Sequence, residues 1–215
     1  MIALGISSKT STHLTRALFI LMTLVLSACT SLQQTVPHKT SRETPIEWPL
    51  TAQKIDNIRN WKLIGKIGIR TPEESLTVAI NQWHQAESSF VIDLSSTFFG
   101  LGASKLQGNP HLLTIIEAGE QPVSSYEPDL LIYQALGFPL PISLLPWWVK
   151  GIPVADSQHE LEFDAQGYPA SLIQNGWHLT FSKHTLIDGL PLPGKIKLER
   201  DKVRIILAIK QWTRL

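Results

Sequence analysis

From Trp61 the chain alternates, and that period of two is what most limits the fold. In Trp61-Lys62-Leu63-Ile64-Gly65-Lys66-Ile67-Gly68-Ile69-Arg70 one face carries Trp61, Leu63, Ile67 and Ile69 while the other carries Lys62, Lys66 and Arg70. Side chains that repeat every second residue lie on one face of a strand, so this run is a half-buried strand and not a helix. Similar runs occupy residues 76–83, 90–94, 102–107, 112–117, 160–163, 171–174, 177–181, 195–199 and 203–212. Turn formers separate them, among them Asn175-Gly176, the favoured pair of a tight hairpin, and Arg200-Asp201. The pattern predicts a mainly β fold, most simply a curved antiparallel meander.

Two stretches depart from the alternation. Ala52, Ile55 and Ile58 recur at helical spacing ahead of the first strand, and residues 129–136 and 143–150 read as two short helices midway along the chain. Gly137 and Gly151 stand as their C-terminal caps, with Pro153 after the second.

The beginning of the chain has a different logic. Lys9 and Arg16 precede an apolar run from Ala17 to Leu26, which ends in the small residues Ser27 and Ala28. This is the order of a secretory signal, and the run is too short to span a bilayer. The one cysteine comes at once, and Leu26-Ser27-Ala28-Cys29 resembles a bacterial lipobox, whose cysteine becomes the acylated first residue. With no partner for a disulfide or a metal, acylation is the reading that uses Cys29. Thr30, and not Asp, comes next, which favours the outer membrane over retention at the inner one. The expected division is residues 1–28 as signal, 29–50 as a lipid-anchored tether rich in Thr, Ser, Gln and Pro, and 51–215 as one domain. A tether of this kind reaches about 25 Å.

Without the leader, 17 basic residues face 18 acidic ones, so nothing in the charge points to nucleic acid. Enzyme motifs are missing too. There is no Gly-x-Ser-x-Gly elbow, no glycine loop ending in Gly-Lys-Ser/Thr and no histidine pair at metal spacing. His84, His111, His159, His178 and His184 are scattered among polar residues, while Asp129, Asp156, Asp164 and Asp188 sit where helix starts and turns use them. The expectation is a monomer that is no enzyme and uses neither cofactor nor metal.

Apolar groups in unusual places point elsewhere. Seven tryptophans lie between Trp48 and Trp212, and Ser95-Ser96-Thr97-Phe98-Phe99-Gly100-Leu101-Gly102 sets two phenylalanines and a leucine among turn residues. Loops seldom display such groups without something apolar to meet.

Several words in this sequence resemble the LolB family. They are Trp61-x-x-x-Gly65-Lys66-Ile67, Asn81-Gln82-Trp83, Phe99-Gly100-Leu101-Gly102-Ala103 with Leu106 and Gly108, and Leu136-Gly137-x-Pro139-Leu140-Pro141-Ile142. Leu145-x-x-Trp148-x-x-Gly151-x-Pro153, Gln174-Asn175-Gly176-Trp177, Leu190-Pro191 and the last strand to Trp212 complete the set. The resemblance implies an incompletely closed antiparallel β-barrel with short helices as a lid, enclosing an apolar cavity for acyl chains. It implies that acylated lipoprotein cargo passes from the periplasmic carrier LolA to this protein and on into the inner leaflet of the outer membrane. The family's Pro-Leu-Gly loop, whose leucine is exposed, is here Phe98-Phe99-Gly100, so the membrane-touching role falls on Phe99 with Phe98 and Leu101. Expected to line the cavity are Ile67, Ile69, Phe90, Ile92 and Leu94 from strands, and Leu136, Ile142, Leu145 and Trp148 from the lid. The competing expectation is a lipid-anchored sensor or assembly factor that binds a lipid or protein without transferring it.

Overall fold

The computed structural model describes residues 40–95 and 103–215. The first alternating run becomes β1 (Asn60–Arg70), and β2 (Ser75–Ala86), β3 (Ser89–Ser95), β4 (Ser104–Asn109), β5 (Leu112–Glu117) and β6 (Val123–Ser125) continue it as a meander. After two helices come β7 (His159–Phe163), β8 (Pro169–Gln174), β9 (Trp177–Ser182), a small hairpin of β10 (Thr185–Ile187) and β11 (Leu190–Leu192), then β12 (Lys195–Arg200) and β13 (Val203–Arg214). The expected single meander is corrected: β13 returns to pair with β1, so two meanders share one seam. Among the described residues the order across the sheet is β6-β5-β4-β3-β2-β1-β13-β12-β9-β8-β7, antiparallel throughout, and its edge strands β6 and β7 do not pair. The sheet therefore stays open. Leu113 on β5 and Leu172 on β8, both fully buried, belong to one apolar cluster, so the sheet curls around a single interior.

Gly65 sets the shape of the seam. A Cβ there would strike the backbone carbonyl of Ala208. On one side the register passes from Ile64 opposite Gln211 to Gly65 opposite Ile209, and on the other from Leu63 opposite Trp83 to Gly65 opposite Ile80. Each slip is a bulge, which reverses the parity of the residues beyond it. The buried positions of β2 change accordingly, from Val78 and Ile80 to Trp83 and Gln85. Trp61 thereby meets Trp83 and Trp212, each with ring centroids 5.2 Å from its own.

Structure reaches back into the segment expected as tether. Ser41 exchanges two backbone hydrogen bonds with Phe163, both 2.9 Å, and the Thr40 hydroxyl and the Arg42 guanidinium donate to Glu162, holding its carboxyl below the usual range. Helix α1 (Trp48–Asp56) begins earlier than the apolar spacing suggested, because Trp48 is itself buried against Phe163 at 5.1 Å. Helix α2 (Pro128–Leu136) starts on its proline, one residue before the expected Asp129, and ends at left-handed Gly137 (φ 76°), as the spacing predicted. The second midchain helix is shorter than the expected 143–150. Only Leu145–Trp148 is α-helical (α3), and beyond it Lys150 and Gly151 bond three residues back, to Trp147 and Trp148. Neither β6 nor the β10–β11 hairpin was expected. Their strands of three residues are too short to show a period, although Asp188-Gly189, both at positive φ, is a hairpin turn.

Candidate functional site: a lidded apolar interior

The chain between β6 and β7 joins the two open edges of the sheet, and it contains α2 and α3. Adjacent tryptophans of α3 have different surroundings. Trp148 is buried and its Nε1 donates to Gln174 Oε1 at 2.8 Å, while Trp147 Nε1 donates to Asp56 Oδ1 at 3.1 Å. Gln174 is 1% exposed and also grips the strand-ward end of the lid: its Nε2 donates to the Val154 carbonyl at 2.9 Å, and the Val154 amide donates to its Oε1 at 3.1 Å. The side chain amide thus satisfies three groups that burial would otherwise strand.

Lys150 ties the lid to α1. Its ammonium donates to the carbonyls of Ile55, Asp56 and Ile58, each at 3.3 Å, around the C-terminal end of α1, where a positive charge complements the helix dipole. Burial pushes the Lys150 pKa down to about 8, against the pull of Asp56 and with the push of Arg59.

Two hollows flank α3. Inside lies a cavity of about 40 Å³, walled only by apolar side chains, including Ile67, Trp83, Leu145, Trp148 and Leu207. It falls well short of the roughly 150 Å³ that admits a benzene ring. Outside, a groove of about 230 Å³ runs between the lid residues Ile142, Ser143, Pro146 and Trp147 and the strand-side residues Trp61, Gln85 and Phe90, and Lys150 also lines it. The rings of Trp61 and Trp83 meet at a tilt of 53°, Trp61 lining the groove and Trp83 the cavity. Trp83 and Gln85 both point inward from β2, and both carry a buried polar atom without a partner among the described residues: the indole Nε1 and the amide Oε1.

The residues expected at an acyl site divide among these places. Ile67, Leu145 and Trp148 line the cavity, and Phe90 and Ile142 line the groove. Ile69, Ile92 and Leu94 are buried in the core, and half-buried Leu136 packs against it. Cys29, Phe98, Phe99 and Leu101 lie outside the described residues. Sequence reasoning missed Gln85, Gln174 and Lys150, since a polar residue in an alternating run or a loop gives no sign of being buried. It also left out Ile80, Ile196, Ile205 and Leu207, whose strands were read although nothing marked these positions as cavity wall.

Residues 59–212 match the family model described as outer membrane lipoprotein LolB. An outer-membrane lipoprotein LolB of Marinobacter nauticus is 32% identical over 195 residues, covering 89% of this chain and 94% of its own. That of Stutzerimonas stutzeri is 34% identical over 194 residues, 89% of this chain and 91% of its own, and that of Pseudomonas fluorescens Pf-5 is 35% identical over 168 residues, 78% and 81%. Matched along nearly its whole folded length, this chain belongs to the LolB family of outer-membrane lipoproteins.

Proposed function

We propose that this protein accepts acylated lipoproteins from the periplasmic carrier LolA and places them in the inner leaflet of the outer membrane. The observation that carries this reading is a sheet curled around a largely apolar interior, with a cavity walled by apolar side chains, left open at its edges and bridged there by a lid. Leaving one long acyl chain in water costs on the order of 10 kcal/mol, so such cargo must move between apolar surroundings without being released. The size of the interior bears on direction. A cavity of about 40 Å³ means the closed protein fills itself, and cargo must displace the lid and core side chains to enter. That opening penalty lowers apparent affinity, so a bilayer, which needs no opening, is the stronger acceptor.

On this reading Cys29 is the acylated anchor and the Phe98, Phe99 and Leu101 loop touches the membrane. Ile67, Ile69, Phe90, Ile92, Leu94, Leu136, Ile142, Leu145 and Trp148 meet the acyl chains once the lid has moved. The test is transfer of a fluorescent lipoprotein from loaded LolA to the full chain. Wild-type protein takes the label, and folded Ile92→Glu, with a carboxylate on the inward face of β3, does not. If wild type takes none, the receptor reading falls; if Ile92→Glu accepts normally, Ile92 is not on the path.

A further inference from the structure

We infer that the inward face of β2 at Trp83 and Gln85 recognises the N-acyl amide of the cargo's lipidated cysteine, a site for the polar linkage of the anchor distinct from the space for its chains. This rests on the receptor reading and adds to it. Trp83 and Gln85 are two residues apart on one face of one strand, which sets them about 7 Å apart along it. Among the described residues one offers an unpartnered buried donor, indole Nε1, and the other an unpartnered buried acceptor, amide Oε1. The opposite end of that amide is already fixed, because Gln85 Nε2 donates to the Glu87 carbonyl at 3.0 Å, and this bond assigns which atom is left over.

The charged groups at the groove do not meet these needs. The Lys150 ammonium is held by three carbonyls, the Arg59 guanidinium by Asp56 at 3.0 Å, and the Glu87 carboxylate accepts from Asn60 Nδ2 at 3.2 Å. A ligand that satisfies both orphans must bring one donor and one acceptor close together. An ester supplies only acceptors, whereas a secondary amide supplies both, and the N-acylated amino group of a lipidated cysteine is such an amide next to three apolar chains. The location agrees: Gln85 lines the groove and Trp83 lines the cavity, so an amide between them has its peptide toward the outside and its chains toward the apolar interior.

The experiment compares two synthetic triacylated lipopeptides binding to the full chain, one with the natural secondary amide and one with that nitrogen methylated, by quenching of tryptophan fluorescence. Wild type should bind the secondary amide about five- to tenfold more tightly, the worth of one buried hydrogen bond. Gln85→Met, of similar volume and without the acceptor, should bind the two equally, its folding checked by a cooperative thermal transition. Equal binding of both lipopeptides by wild type, or discrimination that survives in Gln85→Met, overturns the assignment while leaving the receptor reading intact. Failure of wild type to bind either lipopeptide overturns both.

Discussion

Lys150 is the residue on which solvent conditions act most directly. Its folded-state pKa of about 8 lies below the ordinary 10.5, so between these values the unfolded chain holds a proton that the folded one has released. Stability contributed by this group therefore rises with pH from about 8 to about 10.5 and is lost as pH falls back to 8, on the order of 2–3 kcal/mol across the window. Urea unfolding of wild type and Lys150→Met at pH 7.5, 9 and 10.5 measures it. The gap between the two should widen in favour of wild type as pH rises, and a gap independent of pH means that the ammonium is not desolvated as the geometry indicates. Gly65 is the other position where one residue governs much. Nothing larger fits beneath the Ala208 carbonyl, and its sequence signal was plain only as a glycine inside a strand, a mark of close backbone approach.

Among the elements, the lid hangs on Gln174. Replacing it with Met leaves Trp148 Nε1 and both polar groups of Val154 without partners, a loss of about 2–4 kcal/mol if the lid stays shut. The lid should instead loosen. Hydrogen exchange at the amides of Val149, Gly151 and Val154 should quicken by roughly a hundredfold while those of β1 keep their protection. Unchanged exchange at the three lid amides means that the side chain does not hold the lid. How far these elements were readable from the sequence depends on the length of each pattern. The ten residues from Trp61 to Arg70 fix a strand and its buried face, and Phe90, Ile92 and Leu94 share one face in the structure as their spacing says. β2 is harder: its two buried stretches have opposite parity, and the bulge between them is visible only once Ile80 and Trp83 are seen against β1. The helix at 143–150 was overextended for a related reason. Its apolar spacing is real, but Gly151 and the tie to α1 through Lys150 tighten its last turn.

At the scale of the whole molecule, acceptance and delivery should come apart in Phe99→Glu. A phenylalanine side chain meeting lipid is worth roughly 1.5–3 kcal/mol, so insertion of cargo into liposomes should fall about ten- to a hundredfold while uptake from LolA persists. Equal loss of both steps with a lowered Tm would show that Phe99 packs as core instead. The seam between β1 and β13 bears on how such a molecule is made. It joins Trp61 to Arg214, so the widest sequence separation in the sheet falls at its middle, between the two meanders. Contacts of that kind form late, because the loop they close must be ordered first. A chain threaded across a membrane from its amino end can assemble the first meander early, yet has nothing to pair with β1's far side until its final dozen residues emerge. Joining of the two meanders therefore waits for β13, whichever side of a membrane the chain is on.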